Sequence, residues 1–88
     1  MKEKVFKITN KLGLHARAAA KIVSLTSKFK SQITITNGKK EADAKSIMKI
    51  LMLAAPRNTE LKVNTNGKDE SQAMDAIESL FVNKFDED

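Results

Sequence analysis

The sequence of 88 residues contains no cysteine, no tryptophan and no tyrosine, and it has only one histidine, His15. Without cysteine, a disulfide scaffold, a thiolate zinc or iron–sulfur centre and a cysteine nucleophile are all excluded. With one histidine, a metal site would have to consist of carboxylates, and we expect neither a metal nor another cofactor. The length leaves room for one domain, residues 1–88, which excludes enzymes that work in a cleft between two lobes.

Long apolar runs are also absent. The longest extends from Ile50 to Pro56, far short of the roughly 20 residues that a transmembrane helix requires. The first residues, MKEKVFKIT, alternate charged and apolar side chains, whereas a signal peptide has a continuous apolar region. We therefore expect a cytoplasmic protein that does not insert into membranes.

Charge is unevenly distributed along the chain. The formal net charge is +5, with +7 in residues 1–30, +3 in residues 31–62 and −5 in residues 63–88. Such a pattern favours one positive face, which would attract an acidic protein or a nucleic acid. RNA-binding sheets stack bases on aromatic side chains, yet this chain has only four phenylalanines. A nucleic-acid-binding module is therefore the weaker alternative.

Period-two alternation predicts four strands, at residues 5–9, 33–36, 41–44 and 61–65. Asn37-Gly38 predicts a hairpin turn between the second and third strands, because both residues tolerate a positive φ. In the first strand, Phe6 and Ile8 are the predicted inward pair.

Helical spacing predicts three helices, so that the element order is βαββαβα. The first begins near Ala16, the short second follows an N-cap at Ser46, and the third, of about fourteen residues, follows Asp69 with Gln72 as its capping partner. The predicted core-facing side of the first helix comprises Ala16, Ala19, Ala20, Ile22, Val23, Thr26 and Ser27, and the predicted extension of the third comprises Phe81 and Phe85. The acids at 86–88 are expected to form a frayed, solvated end. This order favours an open-faced sandwich with the helices on one side of a single sheet.

The histidine lies where a glycine loop meets a helix start, in Gly13-Leu14-His15-Ala16-Arg17. Amides of a first helical turn lack partners and face along the helix dipole, which makes this position an anion site. The dipole disfavours the imidazolium, and Arg17 offers bidentate contacts to phosphoryl oxygens. The residues thus suggest a phosphoryl-accepting histidine. A surface or capping histidine and a small phosphatase-like enzyme with a His15 nucleophile remain alternatives.

The segment just quoted, followed by Ala19-Ala20 and by Lys45-Ser46-Ile47-Met48, resembles the HPr family of histidine-containing phosphocarriers of the phosphoenolpyruvate-dependent phosphotransferase system. The resemblance implies an α+β fold with a four-stranded antiparallel sheet. It implies that His15 accepts a phosphoryl group on Nδ1 from phosphorylated Enzyme I and passes it to the IIA domain of a sugar permease. Arg17 would contact that group, and the chain would be a carrier rather than an enzyme.

The resemblance also assigns roles around Ser46. In many relatives the matching serine is phosphorylated by HPr kinase/phosphorylase as a regulatory event, and the adjacent apolar patch, Ile47, Met48 and Leu51, docks partners. We expect these three residues to be partly exposed, with Ile50 and Leu53 turned inward, and we place Ala16 and Ala20 in the docking surface as well.

One residue departs from the family pattern, because Ala18 stands where a proline is usual. Alanine is a good helix former, so the change bears on how His15 is presented rather than on whether the helix forms. Some relatives serve a nitrogen-related or purely regulatory chain, and the residues leave that branch open. We expect a monomer.

Overall fold

The computed structural model describes residues 1–87, and its elements follow the predicted order. They are β1 Lys2–Lys7, α1 Ala16–Thr26, β2 Gln32–Asn37, β3 Lys40–Asp43, α2 Ile47–Leu51, β4 Glu60–Asn66 and α3 Glu70–Val82, followed by a 3₁₀ turn at Lys84–Asp86. The predicted α+β class and the βαββαβα order are confirmed. The largest difference in a strand is at β1, which begins and ends earlier than the predicted 5–9 segment.

The four strands form one antiparallel sheet in the order β1-β4-β2-β3. In its register Phe6 pairs with Leu61, and Ile35 lies between Val63 and Ala42. The hairpin lies where it was predicted, but its turn residues are Gly38 and Lys39. Asn37 is the last residue of β2, and of the predicted pair only Gly38, with φ 62°, has a positive φ. Ile8 follows β1 and still bonds to the β4 side, since its amide donates to the Thr59 carbonyl at 2.9 Å. Of the predicted inward pair, Ile8 is fully buried and Phe6 is half-buried.

The core lies between the sheet and the three helices, with the helices on one face as predicted. Ile50 in α2 and Leu53, two residues after it, are buried, which confirms that these side chains turn inward. The other large buried side chains of the sheet and helices are Ile33, Ile35, Leu61, Val63, Ile22, Met74, Ile77 and Phe81. No helix in residues 1–87 has both the length and the apolar character needed to span a bilayer.

The predicted core-facing side of α1 is partly wrong. Ala16, Ala20 and Ser27 are exposed, whereas Ala18 is fully buried beside Ala19 and Ile22. The buried positions recur at 18, 19, 22 and 26, which is the spacing of one helical stripe. Alanines occupy both faces at this end of α1, so composition could not locate the stripe.

The predicted capping box at the start of α3 is also wrong. Asp69 occupies the N-cap position but its side chain makes no capping bond. Its carboxylate instead accepts hydrogen bonds from the Lys30 and Ser31 amides and from the Ser31 hydroxyl. These bonds lower the pKa of Asp69 to about 2, the Ser31 hydroxyl having the largest effect. Asp69 therefore fastens the end of the α1–β2 connection to α3.

Candidate functional site

The loop that carries His15 is fixed by its backbone. Gly13 adopts φ 65°, and the Leu14 amide donates to the Ala55 carbonyl at 2.9 Å. A Cβ on Gly13 would lie 2.6 Å from that same carbonyl oxygen and 2.9 Å from the Pro56 Cα. Only glycine fits both the conformation and the space. The loop is thereby held against the residues that follow α2, and His15 is presented as the N-cap of α1.

The two ring nitrogens of His15 have different partners. Nδ1 accepts a hydrogen bond from the Arg17 amide at 3.3 Å. Nε2 lies 3.0 Å from Oε1 and 2.9 Å from Oε2 of Glu87. Because a carboxylate only accepts, this network assigns the proton of the neutral ring to Nε2 and leaves Nδ1 unprotonated, with its electron pair directed at the Arg17 amide. The side chain is 25% exposed, so the ring is open to a partner.

Glu87 does not lie in the frayed, solvated end that the sequence predicts. Its side chain is only 14% exposed and contacts the His15 ring. Besides His15, it is held by buried Asn10, whose Nδ2 donates to Oε1 at 2.8 Å. The hydrogen bond from His15 is the main cause that lowers the pKa of Glu87. Asp86 is exposed as expected, and Asp88 lies outside the described residues.

The tail reaches the histidine through an unusual turn. Lys84, Phe85 and Asp86 all have φ between 53° and 60°, a left-handed conformation that non-glycine residues seldom adopt in succession. Phe85, predicted as part of the last helix, belongs to this turn and is buried with its ring 5.0 Å from that of Phe81. No periodicity predicts such a reversal, which is why Glu87 was missed.

The start of α1 contains no acidic residue in its first turn. The first intrahelical bond runs from the Ala19 amide to the His15 carbonyl, so the amides before it are directed toward the end of the helix. The Arg17 side chain is exposed beside this end. An anion bonded to Nδ1 of His15 would therefore meet backbone donors and could attract the guanidinium.

Ser46 is an N-cap as predicted. Its backbone is extended, with φ −122° and ψ 114°, and its Oγ accepts the Lys49 amide at 3.3 Å. The two lysines beside it differ, because Lys45 is half-buried and its Nζ donates to the Phe29 carbonyl at 2.7 Å, while Lys49 is exposed. Of the two cations, Lys49 is the one more open to solvent at the start of α2.

The predicted docking residues are exposed to different degrees. Met48 is 69% exposed and Ile47 39%, while Leu51 is half-buried against the core, so the expected partial exposure is confirmed. Ala16 and Ala20 are exposed, as a docking role requires. Met52 and Leu12 are also large exposed apolar side chains, and Leu12 lies in the histidine loop itself. Sequence reasoning did not single out Leu12, because one leucine in a loop has no period.

Metal binding has no support in the described part of the chain. Among residues 1–87, no group of three or more histidine, aspartate and glutamate side chains could hold an ion.

This fold, with a histidine at the start of α1, is similar to that of the phosphocarrier proteins of the phosphotransferase system. A family model, PTS HPr component phosphorylation site, matches residues 2–83. The chain belongs to the HPr family.

Individual proteins agree with that membership. The chain is 49% identical over 88 residues to phosphocarrier protein HPr of Xylella fastidiosa, which covers 100% of this chain and 99% of that protein. It is 45% identical over 85 residues to phosphocarrier protein NPr of Shewanella violacea, covering 97% and 93%. The crystal structure of HPr-C-His from Thermoanaerobacter tengcongensis superimposes with a TM-score of 0.96 at 43% identity, covering 100% of this chain and 99% of that one.

Proposed function

We propose that His15 carries a phosphoryl group from phosphorylated Enzyme I to the IIA domains of sugar permeases. The observation that carries this proposal is the state of the ring, whose Nδ1 is unprotonated at the start of α1 while Nε2–H donates to Glu87. An unprotonated nitrogen at a helix N-terminus is both the nucleophile and the anion site that such a transfer requires.

The transfer forms a bond between phosphorus and Nδ1 while the bond between phosphorus and a nitrogen of the donor histidine breaks. No proton has to leave Nδ1, because Nδ1 carries none. The Arg17 amide, which donates to Nδ1 in the free protein, is placed to donate instead to a phosphoryl oxygen. The Arg17 guanidinium, exposed at the same helix end, adds positive charge.

An exposed site with few donors suits a carrier. The phosphoryl group must be stabilised enough to survive diffusion, yet it must remain transferable in both directions. A deep pocket with many fixed charges would hold it too firmly and would keep partners out. Arg17, the one arginine at this site, would help to stabilise the phosphoryl group. The 25% exposure of His15 leaves that group accessible for transfer.

The decisive experiment is incubation of the purified protein with phosphoenolpyruvate and Enzyme I, scoring acid-labile phosphate. We expect label on the wild type and on Ser46→Ala, and none on His15→Ala. Label that persists on His15→Ala would overturn the assignment of the acceptor. Onward transfer is then tested by adding a sugar-permease IIA domain and following loss of label from His15.

We further propose that Ser46 is a regulatory phosphorylation site for an ATP-dependent kinase such as HPr kinase/phosphorylase. A phosphate there would lie at the start of α2, where the Lys49 amide is a hydrogen-bond donor and the Lys49 side chain is a cation. The helix would therefore tolerate it. It would also place about two negative charges beside exposed Met48. Regulation would therefore act on docking rather than on folding.

A nitrogen-related phosphotransfer branch is the second candidate, favoured by the similarity to NPr of Shewanella violacea. The discriminating measurement is the rate of transfer from phosphorylated His15 to a sugar-permease IIA domain and to a nitrogen-branch IIA domain at equal concentration. Faster transfer to the nitrogen-branch domain would replace the sugar assignment.

Nucleic-acid binding gains no support from the aromatic side chains. None of the four phenylalanines is exposed, and Phe6 stacks on Phe81 with ring centroids 5.2 Å apart. A stacking platform for bases needs exposed rings.

We propose that residues 1–88 act as one monomeric, cytoplasmic carrier domain. The elution volume on size exclusion tests its oligomeric state.

A further inference from the structure

The carboxylate of Glu87 lies behind the His15 ring, at the nitrogen opposite the one proposed to accept the phosphoryl group. Both of its oxygens are within 3.0 Å of Nε2 of His15. Oε1 also accepts from Nδ2 of Asn10, which is fully buried and donates in addition to the Gly13 carbonyl at 2.9 Å. A continuous set of hydrogen bonds thus joins the glycine loop, Asn10, the carboxylate and the ring.

The segment that delivers Glu87 is fastened rather than loose. The Lys21 ammonium donates to the Phe85 carbonyl at 2.7 Å, and the Phe85 side chain is buried against Phe81. Successive left-handed residues cost free energy, so they persist only where the surroundings fix them. Burial of Phe85 and the bond from Lys21 supply that fixation, with the result that the carboxylate keeps one position relative to the ring.

We propose that Glu87 is a positioning residue for phosphoryl transfer: by accepting the Nε2 proton it holds His15 in the tautomer whose Nδ1 is unprotonated. This role rests on the proposed function of His15. A second ring nitrogen that is hydrogen-bonded to a carboxylate fixes both the tautomer and the plane of an imidazole. Asn10 in turn orients the carboxylate.

The same contact acts during the transfer. When phosphorus bonds to Nδ1 and leaves the donor nitrogen, the imidazole gains a positive charge that is shared with Nε2. The proton stays on Nε2, where the negative carboxylate stabilises that charge. In the alternative tautomer, Nδ1 would first have to lose its proton to water or to the partner, and Nε2 would offer Glu87 no proton to accept.

The test compares Glu87→Ala and Glu87→Gln with Asp86→Asn, which removes the exposed neighbouring charge and keeps a residue type that tolerates the left-handed conformation. Nitrogen NMR of the free proteins at pH 8 reports which ring nitrogen carries the proton. We expect an unprotonated Nδ1 in the wild type and in Asp86→Asn, a mixture of tautomers in Glu87→Ala, and retention of the Nε2–H form in Glu87→Gln, whose amide oxygen still accepts.

Initial rates of label transfer from Enzyme I form the second readout. Glu87→Ala should be slower by about tenfold, the lower end of the effect of removing a carboxylate behind a metal-ligating histidine. Glu87→Gln should be intermediate, and Asp86→Asn unchanged. Identical tautomer populations in the wild type and Glu87→Ala, or identical rates, would overturn the role of Glu87. A wild type that takes up no label would overturn the proposed function instead, while the tautomer measurement would still decide whether Glu87 sets the protonation of His15.

Discussion

The starts of α1 and α2 share one capping geometry but offer different chemistry. His15 and Ser46 both have extended backbones, and each accepts one backbone amide at 3.3 Å. Neither helix has an acid in its first turn. Behind the His15 ring lies the carboxylate of Glu87, whereas in the described part of the chain no carboxylate or imidazole bonds to the Ser46 hydroxyl.

This difference separates what the helix start supplies to a phosphate, which is backbone amide donors, from what makes the capping side chain reactive. The helix end provides amide donors at both positions, and the group behind the cap decides reactivity. An imidazole with its second nitrogen held is a nucleophile at neutral pH, but a serine hydroxyl needs a base. We therefore expect His15 to exchange phosphoryl groups directly, while Ser46 depends on a kinase that brings its own base.

The largest effect expected from adding a single methyl group is in the loop before α1. Gly13→Ala should lower the free energy of unfolding by more than about 2 kcal/mol, because the left-handed conformation and the contact with the Ala55 carbonyl act together. Gly38→Ala is the matched control, with φ 62° and nothing within 4 Å of an added Cβ. It should cost only about 1 kcal/mol. Equal losses in chemical denaturation would contradict the tight fit at Gly13.

The start of α3 gives the contrasting case, because the carboxylate of its N-cap residue, Asp69, bonds to another segment of the chain and not to the helix. Asp69→Asn should destabilise the protein more than Ser46→Ala, since three donors from Lys30 and Ser31 lose an anionic acceptor instead of one amide losing a hydroxyl. The folded pKa of Asp69, about 2, lies below its ordinary value of 3.8.

The contribution of the Asp69 carboxylate to the free energy of unfolding is therefore full above about pH 4 and is lost as the pH falls from about 4 toward 2. Urea unfolding of wild type and Asp69→Asn between pH 2 and pH 7 measures this. The difference in stability between them should shrink on acidification, and a difference that stays constant would contradict the assignment.

At α2, Ser46→Ala should cost about 1 kcal/mol, the usual value of an N-cap serine, and leave the labelling of His15 intact. Ser46→Asp should keep the fold but bind Enzyme I more weakly, because it adds negative charge beside the apolar patch. Ser71→Asp, which adds the same charge at an exposed position of α3, is the control. Unchanged affinity of Ser46→Asp in a calorimetric titration would contradict the regulatory proposal.

The smallest effect is expected for Ala18→Pro, which restores the residue usual in the family. The amide of residue 18 precedes the first intrahelical bond, so the substitution removes none, and the stability should change by less than about 1 kcal/mol. Ala20→Pro, inside the helix, should cost about 3 kcal/mol or more. Similar melting temperatures for the two variants would show that the start of α1 is not organised as described.

Local pattern was sufficient to predict the elements and the placement of His15 and Ser46 at helix starts. Each of these depends on residues within a few positions: alternation for strands, a glycine or serine before a helical stripe, and Asn37-Gly38 for the hairpin. The contribution of Glu87 was not predictable in this way, because it depends on a left-handed turn and on burial of Phe85 under α3. The same holds for Asp69, whose partners are 38 and 39 residues away.

The pairing of β1 with β4 has a consequence for the order of events in folding. Phe6 pairs with Leu61. After β1, the Ile8 amide donates to the Thr59 carbonyl and the Leu14 amide to the Ala55 carbonyl, so these contacts all join residues more than forty positions apart. Non-local pairing of this kind forms late, after the chain entropy of closing a long loop has been overcome. A fragment that contains the first thirty residues holds the histidine, its glycine and its helix, yet it lacks Ala55, Thr59 and Glu87, whose contacts fix their geometry. Competence for phosphoryl transfer should therefore arise together with global folding, in a single kinetic phase, and not earlier.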